Sequence, residues 1–318
     1  EIQPFDCGYN VQARKRQSQY FYLGSSLHEH SQMRYWFVAV FSFSLFAGYG
    51  QNADLDGSRI KQAESLEERC FHFFTTSQID SLAHEQKELS NVISDLKNPR
   101  LIALSEFYLA QTFSTGDSVQ FFKLSKDAMT NATNVKCQEC VALNYLGLGS
   151  KYQKLQHYSA AVSNLHLGIE SVEGDGGRRM TLIKGMLYTT LSASYHQLGK
   201  LSEALQYGLD AMRIAESLND TSLKQKVYAN LSGVYGELSS PNNKLGTDED
   251  RVRYKSLAKK YMLSAYESSL LQSNKRLSGD AAYHLGLFYN EDNILDSSTL
   301  YLNKAIAIGS KTDYYELL

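Results

Sequence analysis

The sequence predicts an all-α solenoid built from antiparallel helix hairpins. A spacing of tyrosine, leucine, tyrosine and a small residue occurs four times along the chain. Successive occurrences are about 40 residues apart, a period typical of stacked helical repeats. Within each unit the apolar positions advance in steps of three and four, which places them on one face of a helix. Repeats of this kind bury their apolar faces only against their neighbours and present long binding surfaces.

The first helix of each predicted unit carries the tyrosine and leucine stripe. In the second unit Tyr188, Leu191 and Tyr195 fall on one helical face, and we expect them to pack in the core. The corresponding residues of the other units are Tyr145, Leu148, Gly149 and Tyr152; Tyr228, Leu231 and Tyr235; and Leu285, Gly286 and Tyr289.

The second helix of each unit carries small residues on either side of a tyrosine. In the second unit these are Ala204, Tyr207 and Ala211. Small side chains let two helices approach closely, and the tyrosine fills the gap to the next hairpin. We expect the same packing at the matching positions Ala161; Ala258, Tyr261 and Ala265; and Ser298, Tyr301 and Ala305.

These positions together resemble the tetratricopeptide repeat (TPR) family. Leu148-Gly149 followed by Tyr152 and Ala161 matches the family's pattern, and the last unit repeats it. The resemblance extends from about Val141 to the end of the chain and implies a right-handed superhelix of hairpins. Two features depart from the family: its proline after the second helix is missing, and the unit exceeds its usual length of about 34 residues. Longer second helices would explain both departures.

The region upstream of the repeats carries a different signal. Residues 33–50 combine a basic start at Arg34, an apolar run from Tyr35 to Phe46, and small residues at Gly48 and Gly50. This order is typical of a secretory signal peptide. The apolar run is shorter than the roughly 20 residues of a membrane-spanning helix. The sequence therefore predicts export, with an uncleaved anchor as the alternative.

The predicted domain organisation follows from these signals. Residues 1–32 do not begin with Met and show no period, so we expect a non-native, disordered upstream segment. Thr312 to Leu318 begins another apolar helix, so we expect the chain to be truncated at its C-terminus. The predicted divisions are 51–140, divergent N-terminal hairpins, and 141–318, repeats at 142–184, 185–224, 225–278 (with an insertion at 239–253) and 279–318.

No catalytic or metal-binding motif is recognisable in the sequence. His84-Glu85 begins like a zinc-protease helix, but position 88 is Glu88 instead of the second histidine ligand. Asn290 to Asn293 is polar enough to suggest calcium, yet it falls at a predicted turn, where Asn and Asp cap helices. There is no nucleophile elbow or phosphate-binding glycine loop. We expect no catalytic residue, no metal and no cofactor.

Three of the four cysteines follow the predicted signal peptide. Cys137 and Cys140 form a Cys-x-x-Cys pair that would share one helical face, so a local disulfide is open to them in an oxidising compartment. No second pair follows at the spacing of zinc ligands. We favour buried small side chains for these two residues and for Cys70.

The charge pattern argues against polyanionic partners such as nucleic acid and anionic lipid. The net charge is −2, with acidic and basic residues interspersed along the chain. Neither a basic patch for nucleic acid nor one for anionic lipid is present.

The TPR resemblance implies where a ligand would lie. Family members bind peptides or proteins along a concave face that the first helix of each hairpin supplies. Carrying that face over by position gives the candidate binding residues Ser150, Gln153, Thr189, His196, Lys226, Tyr283 and Asn290. The lysine and asparagine ring with which chaperone-binding members hold a C-terminal carboxylate is missing.

The expected function is therefore a non-catalytic TPR module that binds a protein or peptide. The exported repeats resemble the sensor regions of bacterial TPR-containing histidine kinases and related signalling proteins. That resemblance implies a periplasmic or extracytoplasmic location and attachment to a membrane only through a segment beyond Leu318. Two alternatives remain open: a free-standing adaptor of the bacterial envelope, and the N-terminal part of an enzyme whose catalytic domain lies beyond the chain.

Overall fold

The chain divides into two compact units, residues 1–61 and residues 62–318. Of the first unit only residues 57–61 are described, and they are helical. All contacts given below lie within the second compact unit, residues 62–318. The structure is a computed structural model that describes residues 57–172, 174, 177–243, 246–271 and 275–309.

Three sequence predictions concern parts of the chain outside the described residues. These are the upstream segment 1–32, the signal peptide at 33–50 and the further helix that begins at Thr312. The divergent hairpins and the repeats fall almost entirely within the described ranges.

The described residues contain helices and turns and no strand, which confirms the predicted all-α solenoid. A first helix, α1, covers residues 57–75. The helices that follow are α2 (Ile79–Ile93), α3 (Pro99–Gln111), α4 (Ser118–Asn134), α5 (Gln138–Lys154), α6 (Tyr158–Ser171), α7 (Gly177–Gln197), α8 (Leu201–Leu218), α9 (Thr221–Ser239), α10 (Asp248–Leu271), α11 (Lys275–Glu291) and α12 (Leu295–Gly309).

Consecutive helices pair as hairpins, and each hairpin packs on the next. The pairs α3–α4, α5–α6, α7–α8, α9–α10 and α11–α12 make the most extensive contacts, and the second helix of each also contacts the first helix of the following pair. The turns are sharp because several contain a residue at positive φ, such as Gly199 (70°) and Asn219 (49°). Asp117 and Asp220 cap α4 and α9 by accepting hydrogen bonds from backbone N–H groups in the first turn.

The small residues predicted on the second helices are buried, as the close approach of two helices requires. Ala204 and Ala258 have no exposed surface. Beside them the predicted tyrosines of the first and second helices stack face to face. The ring pairs are Tyr195–Tyr207, Tyr235–Tyr261 and Tyr289–Tyr301, with centroids 5.6, 5.6 and 5.5 Å apart and interplanar angles of 5°, 6° and 4°.

At one equivalent position in three of the hairpins, a glycine on one helix faces a larger side chain on the other helix. Gly149 faces Leu165, and Gly286 faces Leu302 in the last hairpin. In the α7–α8 hairpin the order is reversed, since Ser192 of the first helix faces Gly208 of the second. The Ser192 hydroxyl uses this space to donate a hydrogen bond to the Ala204 carbonyl at 2.7 Å. In these three hairpins a glycine on one of the two helices makes room for the side chain that faces it.

The insertion predicted at 239–253 is shorter as a loop than the sequence suggests. Helix α9 ends at Ser239 and α10 begins at Asp248, so 248–253 form the first turns of a helix. Thr247 and Asp250 bond to each other across the start of α10: the Asp250 carboxylate accepts from the Thr247 amide at 2.9 Å. Such reciprocal capping stabilises a helix start that has little apolar periodicity.

None of the helices in the described ranges combines the length and the apolar character that crossing a bilayer requires.

We predict that Gly149→Ala destabilises the repeat although alanine is the better helix former. An added Cβ would lie 2.6 Å from Leu165 Cγ and Cδ2, and Leu165 is fully buried. Overpacking costs about 1–3 kcal/mol, against a helix-propensity gain of about 1 kcal/mol. Urea unfolding should show a loss of about 1 kcal/mol.

The matched control is Gly236→Ala in α9, where no atom lies within 4 Å of the added Cβ. This change should raise the free energy of unfolding by about 0.5–1 kcal/mol. If both variants gain stability, the packing of Leu165 onto Gly149 is wrong.

Candidate functional site

The first helices of four consecutive hairpins form a continuous row, which we call the inner row: α3, α5, α7 and α9. Each contacts the next directly, in addition to its own hairpin partner. Helix α11 is the first helix of the last described hairpin. The candidate binding residues of the sequence analysis all lie on α5, α7, α9 and α11.

The structure corrects the prediction for Thr189. Its side chain is 7% exposed, and its hydroxyl donates to the Gly185 carbonyl at 2.7 Å. The neighbouring helix α9 covers it, since Asn230 donates a side-chain hydrogen bond to the Thr189 carbonyl at 2.8 Å. Thr189 therefore lies between two helices of the inner row and is not available to a ligand.

Lys226 is also engaged within the chain. Its ammonium group donates to the Thr75 carbonyl at 2.6 Å and lies 3.3 Å from the Ser77 hydroxyl, at the C-terminal end of α1. Burial lowers its pKa to about 8, while the nearby Asp220 favours the charged form. Lys226 thus caps a helix end, where a cation meets unpaired carbonyls. A ligand that binds this ammonium group would compete with the Thr75 carbonyl of α1.

The remaining candidates are partly or fully accessible. Ser150 and Gln153 on α5 are half-buried. His196 on α7 is half-buried beside Gly233 of α9, and burial lowers the pKa of its imidazole. The neutral form therefore predominates at pH 7.

Helix α11 presents the most open face among these candidates. Tyr283 is 38% exposed. Asn290, seven residues and about two helical turns further along, is also exposed. Leu287, 38% exposed, lies four residues after Tyr283 and three before Asn290. We call Tyr283, Leu287 and Asn290 the α11 strip. It combines an aromatic, an aliphatic and an amide side chain and carries no charge.

A buried polar cluster, which the sequence did not reveal, joins α1 to the inner row. Glu67 of α1 is 3% exposed and accepts a hydrogen bond from the Tyr108 hydroxyl at 2.6 Å. Arg179 at the start of α7 holds the same carboxylate with two guanidinium N–H groups, one at 3.0 Å from Oε2. Burial and the adjacent Glu67 raise the pKa of Tyr108 well above its usual value, so Tyr108 remains a donor.

The cluster continues along the N-terminal ends of the inner row. Arg179 Nε lies 2.6 Å from Glu139 Oε1 of α5, an ion pair without hydrogen-bond geometry. Glu139 Oε2 is 2.8 Å from the Arg100 guanidinium of α3. The guanidinium carbon of Arg179 also sits 3.9 Å from the centre of the Phe71 ring, a cation–π contact. Helices α1, α3, α5 and α7 all contribute to this cluster.

Two cysteines flank Glu139 in the first turn of α5. Cys137 and Cys140 are joined by a disulfide, and both are buried. Cys137 is the N-cap residue, and its sulfur accepts from the Cys140 amide at 3.2 Å. Cys70 is free and buried in α1, where burial and Glu67 raise the pKa of its thiol to about 12. A thiol held in this protonated form is a poor nucleophile.

The polar turn at Asn290 to Asn293 is neutralised within the chain. Asp292 forms ion pairs with Lys255 at 2.7 Å and Lys259 at 3.2 Å. The hydrogen bond from Lys255 lowers the pKa of this carboxyl group. Across the part of the chain that the structure describes, no three His, Cys, Asp or Glu residues group as metal ligands would.

Comparisons with known proteins identify the fold and no family. No protein-family model and no curated protein matches the chain. Among solved structures, a Signal Transduction ATPase with Numerous Domains from Pyrococcus horikoshii, which has a tetratricopeptide repeat sensor, is similar over 79% of this chain and 36% of its own, with 14% identity and a TM-score of 0.55. BtubC from P. vanneervenii is similar over 81% of this chain and 91% of its own, with 15% identity and a TM-score of 0.48.

The likeness to the sensor-containing ATPase extends to the fold only. The chain spans about a third of that protein's length. The chain is thus an all-α helical-repeat protein with a TPR-like fold.

We predict that Arg179→Ala destabilises the protein by about 3–5 kcal/mol, since it leaves the Glu67 carboxylate buried without its charge partner. Arg213→Ala is the matched control, because Arg213 is 73% exposed and pairs only with Asp210 of its own helix. That change should cost less than about 1 kcal/mol. Urea unfolding of both variants measures the difference, and equal losses would contradict a buried cluster.

Proposed function

We propose that the chain is a non-catalytic module that binds a segment of another protein. The observation that carries this proposal is the α11 strip, where Tyr283 and Leu287 expose an aromatic and an aliphatic side chain on one helical face. Aromatic anchors beside apolar and amide groups are typical of protein interfaces, whose centres are depleted of charge. Solenoids bind partners along surfaces of this kind.

We further propose that the module is the extracytoplasmic sensor part of a bacterial signal-transduction protein. The similar ATPase from P. horikoshii is described as having a TPR sensor, which gives a precedent for this fold in sensing. The apolar run from Tyr35 to Phe46, after Arg34, supports export. The gene downstream of the codon for Leu318 discriminates further: a membrane helix with a kinase or DNA-binding domain favours the sensor, and an early stop codon favours an envelope adaptor.

Site-specific photo-crosslinking tests the binding surface. A photoreactive amino acid in place of Leu287 should crosslink to a discrete partner in cells, because this side chain faces solvent on the α11 strip. The matched control replaces Gln206, an exposed residue on α8 outside the strip. Crosslinks from position 206 that equal those from position 287 would count against the α11 strip, and so would the absence of any crosslink.

A reporter fusion tests export. Residues 33–56 fused to alkaline phosphatase without its own signal should give an active enzyme, because this reporter folds only in an oxidising compartment. Val40→Arg places a charge inside the apolar run and should abolish the activity. An inactive wild-type fusion would exclude the signal peptide and leave the binding proposal untouched.

A further inference from the structure

Helix α1 makes contacts that its place in the stack does not explain. In a solenoid each hairpin contacts its neighbours in sequence. Helix α1 pairs with α2 in the first hairpin, where Arg69 contacts Glu85. Counted from that hairpin, α7–α8 is the fourth, and its Arg179 pairs with Glu67 of α1 across 112 residues. The last residue of α1, Thr75, accepts hydrogen bonds from Lys226 and Ser222 of the fifth hairpin, at 2.6 and 3.2 Å. Helix α1 therefore crosses the inner row as a bound helix would.

The groups beneath α1 form a charged receptor. Arg100 and Arg179 share the single carboxylate of Glu139, which leaves one positive charge unbalanced until Glu67 is added. The Lys226 ammonium group adds a cation at the far end. A helix that binds the inner row as α1 does therefore places a carboxylate against Arg179 and hydrogen-bond acceptors against Lys226.

Helix α1 supplies complementary groups along one face. Glu67 and Phe71 are four residues apart, and both meet Arg179, one as its salt-bridge partner and the other as its cation–π partner. Phe74, one turn further, packs edge-on against Phe107 of α3 with ring centroids 5.1 Å apart. The carbonyl end of the helix then meets Lys226, where the negative end of a helix dipole is favoured.

The contacts of α1 suit a reversible association. Its contact with the inner row includes a buried ion pair, whose desolvation cost offsets much of the Coulombic attraction. On its other side an open cleft of about 360 Å³ runs between α1 and α2, lined by residues of both helices that include Leu66, Arg69, His84 and Glu88. Arg69 crosses this cleft and pairs with Glu85 of α2 at 2.9 Å.

We propose that α1 is an internal ligand of the inner row and that the partner is a helix that replaces it. The partner helix carries a carboxylate followed four residues later by an aromatic side chain, as Glu67 and Phe71 do. This inference goes beyond the proposed function, because it assigns a second surface, on the inner row, and the class of partner that fits it. A partner of this class can pair with Arg179 and Lys226 in place of α1 only after α1 has detached from them.

A peptide of residues 57–77 with Cys70→Ala, labelled at its N-terminus, tests the exchange. The full chain with Glu67→Ala and Phe71→Ala should bind this peptide at least ten times more tightly than the wild type, because its own helix no longer competes. A peptide that also carries Glu67→Gln should bind at least ten times more weakly. Fluorescence anisotropy measures both affinities, and circular dichroism shows whether the variant remains folded. A folded variant that binds no better than wild type would overturn the proposal.

Hydrogen exchange of the unchanged protein gives a second, independent test. Amides of residues 62–75 should exchange at least ten times faster than those of α3 and α5, because α1 detaches without unfolding the repeats. Equal protection would make α1 an integral part of the core and overturn the exchange. The Leu287 crosslink does not involve α1, so its persistence in either case would leave the binding function standing.

Discussion

The fold depends on how closely the two helices of each hairpin approach each other. Ala204 and Ala258 have no exposed surface, and the matching position of the last hairpin holds the small, buried Ser298. Next to these small residues the tyrosines of the two helices stack, as Tyr195 and Tyr207 do with centroids 5.6 Å apart. The stacked rings join the two helices of one hairpin. Because the same arrangement recurs in successive hairpins, their first helices lie side by side and form the inner row.

The contacts of α1 with α7 and α9 join hairpins that are not neighbours in sequence. A solenoid with contacts between neighbours alone can lose an end hairpin without effect on the rest. Here Glu67 joins the first hairpin to Arg179 of the fourth, and Lys226 of the fifth caps the end of α1. The stability of hairpins that are distant in sequence is therefore coupled. Part of this coupling is ionic and directional, so it depends on the positions of a few atoms.

The repeat was predictable and the cluster was not, for a physical reason. The positions of Leu191, Ala204 and Tyr207 recur with the helical period, so the sequence predicts the hairpins and their cores. Glu67 and Arg179 belong to no repeat position and meet across 112 residues, so no spacing indicates their pairing. The burial of Thr189 was missed because family position alone does not reveal how closely the next first helix, α9, packs against it.

Two surfaces of different chemistry thus lie on the first helices of one solenoid. The α11 strip is uncharged and open, and its side chains are available without any rearrangement. The surface beneath α1 is charged and covered, and Arg179 is reached only after Glu67 leaves. A partner without a carboxylate offers the guanidinium group at most a cation–π contact, as Phe71 does, and cannot replace Glu67. Occupancy of the α11 strip and release of α1 are therefore separable events, and a partner that triggers both must bring a carboxylate as well as an aromatic anchor.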